Sequence, residues 1–268
     1  MSAKSDIAAT NLGIYRRPAT ARWYATQTGL FAAEEAAFAL TRQAWEGGDV
    51  LDIGIGGGRT SDFLAPSARS YVGVDFSAPM VAAAKARHPN LNLQNADARD
   101  LSRFTDEAFD FAFFSYNGID AVDDLDRALI LAEARRVLRP GGLFVFSAHN
   151  LDCLEPGKFW RDVLSVTLSS SPVALAKSLA RIPIRLRNYL AASASQVRTD
   201  RYAIKLDAGN DFASPHYYAG IAEVGRQLRA SGLDLATVLD EQGRETDHLM
   251  DRSSTTLHYI ARKPAAIA

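Results

Sequence analysis

The sequence predicts an α/β fold: a doubly wound parallel sheet carrying an inserted and mostly helical cap. Three observations carry that expectation. An apolar run at Val50, Leu51 and Ile53 meets a turn almost free of side chains, at Gly54, Gly56, Gly57 and Gly58. A second apolar run, Tyr71 to Val74, ends about twenty residues further on in an acid, Asp75. Strand-like runs then alternate with helical stretches as far as Asn150, the βαβ signature of a parallel sheet.

Each element follows in chain order. Pro18 to Trp45 is rich in Ala, Leu and Glu and reads as helix, ended by Gly47 and Gly48. Strand one is Val50–Ile53, and a short helix after Gly58 is expected to turn Phe63 and Leu64 inward before Pro66. Strand two is Tyr71–Val74. Ser77 stands where a cap for the helix Ala78–Arg87 belongs, and Pro89 stops that helix. Leu91–Gln94 is strand three, and FDFAFFSY, Phe109 to Tyr116, is a strand buried on both faces. Ala121–Leu138 is a long amphipathic helix ended by RPGG, with strand five at Leu143–Ser147. Between Asn150 and Pro215 the alternation stops. A helix at Ala219–Ala230 and two strand-like runs, LDLATVLD and TTLHYIARK, then close the sheet edge. One domain is expected, with a helical segment (1–48), a core (49–150), an inserted cap (151–215) and a closing helix and strand pair (216–268).

The chain has 268 residues, 47% of them hydrophobic, enough to bury a full core. Its 30 basic and 31 acidic residues nearly cancel, so no general electrostatic footprint for nucleic acid is present. Cys153 is the only cysteine, which excludes an intrachain disulfide and argues against a Cys-based metal cluster; no metal is expected. The N-terminal residues lack an apolar signal core, and no run of about eighteen apolar residues occurs. A soluble, cytoplasmic protein without a transmembrane segment is expected.

A glycine turn lets backbone N–H groups approach a ligand closely, and an acid at the next strand tip accepts hydrogen bonds from a ribose diol. The pair points to a nucleoside-containing cofactor at the C-terminal edge of the sheet. In order along the chain, the glycine turn, Asp75, Asp97 after strand three, RPGG before strand five and the terminal strand pair resemble the class I S-adenosylmethionine-dependent methyltransferases of small-molecule type. The resemblance spans Val50 to Asn150 and Ala219 to Lys263. It implies a Rossmann-like, seven-stranded sheet whose last strand is antiparallel and inserts between strands five and six, with S-adenosyl-L-methionine as cofactor and S-adenosyl-L-homocysteine as product. By that resemblance Gly54, Gly56 and Gly58 cradle the methionine part, Asp75 holds the ribose, and Phe76 and Met80 pack beside the adenine. Asp97 takes the adenine amino group, with Ala98 against the ring. Ser115 and Tyr116 border cofactor and substrate, and Arg59 pairs with the cofactor carboxylate. Asp52 is counted with the cofactor-binding residues. Of the N-terminal aromatics Tyr15, Trp23 and Tyr24, Tyr24 is favoured to shield the sulfonium.

Methyl transfer from a sulfonium is an in-line displacement, so the protein mainly aligns the reacting atoms. A hydroxyl acceptor gains from a base. His149, just beyond strand five, is the first candidate base and His216 the second. Asn117, Asn150, Tyr217 and Tyr218 are candidate substrate-binding residues, and His88, His248 and His258 read as structural. A small-molecule acceptor methylated on oxygen is the leading expectation, with a peptide, protein, lipid-linked or amine acceptor as the alternative. An NAD-dependent oxidoreductase would share the glycines and Asp75 without needing Asp97 or the strand pair; a non-catalytic cofactor binder is the remaining reading.

Val163 to Thr199 holds five bases, Lys177, Arg181, Arg185, Arg187 and Arg198, and no acid. Leu175, Leu179, Ile182, Leu186 and Leu190 share a helical face, and Pro183 is expected to kink or split the helix. The preferred expectation is a lid that lays its leucines on the domain and its arginines in water. Peripheral membrane contact or an anionic substrate is the other reading. Oligomeric state is left open.

Overall fold

The computed structural model describes residues 6–153, 172–206, 208–246 and 250–265. Its core is a parallel sheet of β1 (Asp49–Ile53), β2 (Ser70–Asp75), β3 (Asn92–Asn95), β4 (Phe109–Phe114) and β5 (Leu138–Asn150), in the spatial order β3-β2-β1-β4-β5. The central strands β1, β4 and β5 are rich in Val, Ile, Leu and Phe because helices cover both faces; Phe111 and Phe144, for example, are wholly buried. The chain winds outward from β1 to β3 and then returns to β4, so the order reverses between β1 and β4. Such a switch point opens a crevice at the strands' C-terminal ends. The closing pair is β9 (Asp234–Leu239) and β10 (Thr256–Arg262); β10 lies between β5 and β9, antiparallel to both.

Among the described residues the sheet has ten strands, not seven. The three additional ones lie at the end of the insertion: β6 (Val197–Arg198), β7 (Tyr202–Leu206) and β8 (Pro215–Ala219), antiparallel to one another. The described part of the cap is therefore a long helix that leads into a small sheet. Two to five residues make too little alternation to stand out along the chain, and β7 and β8 become strands by pairing Tyr202 with Ala219 through Leu206 with Pro215. β4 pairs with β5 only as far as Phe114 and Phe146, while β10 follows the other edge of β5 to His149. β8 pairs with His149 and Asn150, so it takes the edge of β5 that β4 leaves. The insertion is thereby anchored directly above the tip of β4.

The N-terminal segment folds as α1 (Ile7–Tyr15), α2 (Pro18–Ala25) and α3 (Ala32–Trp45). The single helix expected from Pro18 to Trp45 is broken at Thr26–Phe31, where Gly29 takes φ +75°. Asp6 caps α1 by accepting from Ala9 N–H at 2.9 Å, and Pro18 opens α2. Buried Asn11 ties α1 to the rest of the fold, donating to the carbonyls of Ala121 (2.9 Å) and Pro215 (2.8 Å).

In α4 (Ser61–Leu64) Leu64 is buried but Phe63 is exposed, against the expectation for both; four residues present only one side to the core. α5 (Ala78–Arg87) begins after Ser77, whose hydroxyl donates to Tyr15 O at 2.9 Å rather than capping the helix. α6 (Asp124–Val137) is capped by Asp123 through Asp126 N–H. α7 (Pro172–Ala192) runs through Pro183 as one helix, so the expected split is absent, and Leu179, Leu186 and Leu190 are exposed rather than laid on the domain. α8 (Ile221–Ala230) leads to β9. Residues 154–171 and His248 lie outside the described residues. Among the described residues, no helix is long and apolar enough to cross a membrane.

Candidate active site

The glycine turn after β1 is built to bring backbone close to something else. Gly54 and Gly56 take φ +66° and +54°, and a Cβ on Gly54 would stand 2.5 Å from the Phe114 ring. Gly54 N–H donates to Val74 O at 2.7 Å, locking the turn to β2. At the tip of β2, Asp75 accepts from Gly56 N–H (2.9 Å) and Ser77 N–H (2.8 Å). Burial nevertheless pushes its carboxyl up to about 6, the two N–H groups offsetting only part of the desolvation.

A cleft opens over this edge. Gly54, Gly56, Asp75, Phe76 and Met80 line one part; Asp97, Ala98, Ser115 and Tyr116 line the other. The Asp97 carboxylate also receives Arg99, Nη2 to Oδ2 at 2.7 Å. Burial raises its pKa, but Arg99 outweighs that and holds it below the usual carboxylate range. Tyr15 and Tyr24 roof the cleft, their rings 6.1 Å apart edge to face, and Tyr24 stands 5.7 Å from Tyr116. Burial raises the Tyr24 phenol well above its ordinary value.

Three residues assigned to the cofactor from the sequence lie elsewhere. Arg59 forms a buried bidentate pair with Glu34, 2.6 Å on each arm, and donates to Gly29 O. It clamps α3 to the turn and does not line the cleft. Asp52 is buried beneath the turn, where its Oδ2 accepts from Thr60 Oγ1 and Tyr71 OH, both at 2.7 Å; desolvation raises its carboxyl to about 6. Gly58 packs against His88, whose Nε2 lies 2.9 Å from Gly58 O, so its missing side chain makes room for α5.

A second cavity shares Tyr15, Tyr24 and Tyr116 with the cleft and adds Asn117, His149 and His216, with Arg181 from α7 and Asn210. Tyr116 and Asn117 are left-handed, φ 53° and 55°, an uncommon backbone that must be held. Asn117 N–H donates to Ser147 Oγ at 2.8 Å, and its Nδ2 donates to Thr256 Oγ1 at 3.1 Å. His149 comes from the end of β5 and His216 from β8; their rings lie 5.2 Å apart. Tyr218 backs His149 with ring centroids at 4.7 Å and does not line the cavity.

His149 is held by a residue that sequence reasoning missed. Asp120 Oδ2 lies 2.9 Å from His149 Nδ1 and also accepts His149 N–H at 2.6 Å. Its other oxygen pairs with the guanidinium of fully buried Arg127. As that guanidinium's partner, Asp120 is the acceptor, so Nδ1 carries a ring proton and Nε2 is the nitrogen turned away from Asp120. Arg127 Nε donates to Gln227 Oε1 (2.9 Å), Gln227 Nε2 to Tyr217 OH (2.8 Å), and Tyr217 OH to Asp124 Oδ1 (2.7 Å). Tyr217 thus belongs to the buried support, not to a substrate wall. Asn150 likewise donates to the carbonyls of Asp251 (2.5 Å) and Ser254 (2.9 Å), pinning the approach to β10. Asp120 had no distinguishing signal: it is one of four acids between Asp120 and Asp126, and only the long return of β5 selects it.

These features define a doubly wound nucleoside-binding fold with a second, histidine-bearing cavity beside the nucleoside cleft. Residues 50–142 match a family model described as a methyltransferase domain. A probable S-adenosylmethionine-dependent methyltransferase of Mycolicibacterium smegmatis is 30% identical over 129 residues, 48% of each chain. Demethylmenaquinone methyltransferase of Renibacterium salmoninarum is 36% identical over 107 residues, 40% of this chain and 44% of that one. The chain thus spans about half the length of these curated relatives, or less. In fold it is similar to Burkholderia thailandensis 1,6-didemethyltoxoflavin-N1-methyltransferase, solved with S-adenosylhomocysteine bound (TM-score 0.60, 15% identity, 98% of this chain and 92% of that one). Residues 50–142 thus carry a methyltransferase domain on the fold of the S-adenosylmethionine-dependent methyltransferases, and S-adenosylmethionine is the cofactor to which the relatives point. The residues present fit that group: a side-chain-free turn at Gly54 and Gly56, and the buried Asp75 carboxylate at the neighbouring strand tip.

Proposed function

We propose that this protein transfers a methyl group from S-adenosylmethionine to a hydroxyl of a small-molecule acceptor, with His149 as general base and Asp120 as its positioning residue. The observation that carries the reading is the Nδ1–Asp120 contact at 2.9 Å, in a cavity that shares three aromatic side chains with the cofactor cleft. When bound, the cofactor supplies an electrophilic methyl on a good leaving group. Asp75 is placed to hold the ribose hydroxyls, and Asp97 and Ala98 the adenine. Tyr24 and Tyr116 stand between cleft and cavity, where they exclude water from the path of transfer. Asn117 and His216 orient the acceptor oxygen. His149 Nε2 takes the acceptor's O–H proton as the C–O bond forms and the C–S bond breaks, and the Asp120 carboxylate stabilises the resulting imidazolium. A relative named for demethylmenaquinone supports an acceptor of small-molecule size.

Calorimetric titration with S-adenosylmethionine, S-adenosylhomocysteine and NAD is the first test. Binding of the two sulfur nucleosides and none of NAD is expected; the reverse overturns the reading. Release of S-adenosylhomocysteine over panels of phenols, sugars, carboxylic acids and amines then reads the acceptor. Asp120→Asn is expected to lower kcat on a hydroxyl acceptor by about tenfold to hundredfold with cofactor affinity kept. Unchanged kcat would remove the base from the mechanism.

A further inference from the structure

The helix α7 leaves much of its apolar surface uncovered. A lid buries its leucines and leaves its arginines outside. Here Leu179 is 50% exposed and Leu190 64%, while the Arg185 side chain is only 13% exposed. Leu179, Leu186 and Leu190 stand at i, i+7 and i+11, one stripe along the outer surface. The inner side is secured by polar and aromatic groups: Arg185 pairs with Asp211 at 3.2 Å, Asn188 Nδ2 donates to Asp211 O at 3.0 Å, and Tyr189 meets Phe212 edge to face.

Charge says what covers the outer stripe. From Pro172 to Thr199 the chain carries five bases and no acid; Arg181 and Arg185 pair with Asp211 from outside that stretch. Arg187 sits exposed within the apolar face, and Arg198 is exposed in β6. A second copy docked on the same face would set these bases against themselves, because a two-fold contact brings one patch onto its equal. Nucleic acid would pair the arginines and leave the leucines in water. An anionic bilayer surface satisfies both, leucines among the acyl chains and arginines at the phosphates.

We infer that α7 docks the protein on anionic lipid, through Leu179, Leu186 and Leu190 with Arg187. The same helix walls the histidine cavity through Arg181, so the docked face and the cavity are two sides of one element. The inference stands on exposure and charge and is independent of the methyl-transfer reading.

The test is co-sedimentation of the full chain with vesicles of phosphatidylcholine alone and of phosphatidylcholine mixed with phosphatidylglycerol. Binding is expected to the mixed vesicles, about tenfold or more weaker to phosphatidylcholine alone, and weaker as salt rises. Leu179→Glu with Leu190→Glu is expected to lower binding to the mixed vesicles about tenfold or more, and Arg187→Glu to weaken it through charge alone. Both variants change exposed positions, and unchanged thermal unfolding and calorimetric binding of S-adenosylmethionine would show that they fold. No sedimentation of the wild type with anionic vesicles overturns the inference. So does a folded double variant that binds like the wild type, or one whose only change is a smaller oligomer by light scattering.

Discussion

The cofactor cleft and the histidine cavity meet at Tyr116, yet they are put together differently. At the cleft, the decisive carboxylate is held by backbone from its own neighbourhood: Asp75 takes N–H groups from Gly56 and Ser77. At the cavity, Asp120 is held by side chains and meets a histidine 29 residues away; its partner Arg127 reaches across 100 residues to Gln227. A site made of local backbone needs little from the rest of the fold. One made of buried side chains stands or falls with the packing around it. The cleft should therefore tolerate damage in stability and show it in affinity, and the cavity the reverse.

Four substitutions sharpen or break that contrast. The largest effect is expected for His149→Ala: a fall in kcat of about 10²–10⁴-fold with S-adenosylmethionine affinity nearly intact, read by product release and calorimetry. Equal loss of both would show that the two sites are not separable. Next is Arg127→Met, which leaves the Asp120 carboxylate buried without its cation. Denaturant titration should show a loss of about 3–5 kcal/mol.

Asp75→Asn is expected to act in opposite directions on affinity and stability. Cofactor binding should weaken by about 1–3 kcal/mol, the scale of hydrogen bonds to a charged group. The folded carboxyl, at about 6, lies above its unfolded value, so the stability it contributes is full below about pH 4 and lost as pH rises through about 6. At pH 7 the variant should thus be more stable than the wild type without ligand, by about 1–3 kcal/mol. Wild-type affinity, which needs the ionised carboxylate for the ribose donors, should fall as pH drops below about 6, and in Asp75→Asn that dependence should vanish. A stability change of the opposite sign would mean that Asp75 is held as well as its burial demands. The smallest effect belongs to Tyr217→Phe, which removes one hydroxyl from the support chain. About 0.5–1.5 kcal/mol of stability should go, with KM for the acceptor unmoved; a raised KM would return Tyr217 to the substrate wall.

The same division explains what was legible along the chain. Val50–Ile53, the glycines, Asp75 and the terminal pair β9 and β10 were readable because strand periodicity, turn chemistry and order are local signals. Where a residue type was right but its partner lay far away, the reading failed. Arg59 sits directly after the glycines, but Glu34, 25 residues earlier in α3, takes both its arms. Asn150 adjoins His149 yet points to the turn before β10, since neighbours in a strand face opposite sides. Alternation also separates Tyr217 from Tyr218: one supports Arg127 through Gln227 and the other backs His149.

By itself, then, the sequence determined the doubly wound core, the nucleoside turn and the acid that faces it. Each follows from hydrophobic period and backbone freedom within a few tens of residues. Tertiary structure alone decided that the insertion adds three strands above β4, that Asp120 rather than Asp123, Asp124 or Asp126 holds His149, and that the leucines of α7 face outward. Those outcomes depend on which buried charge finds which partner and which face finds cover. Such pairings are settled by packing between distant segments, and a linear pattern does not contain them.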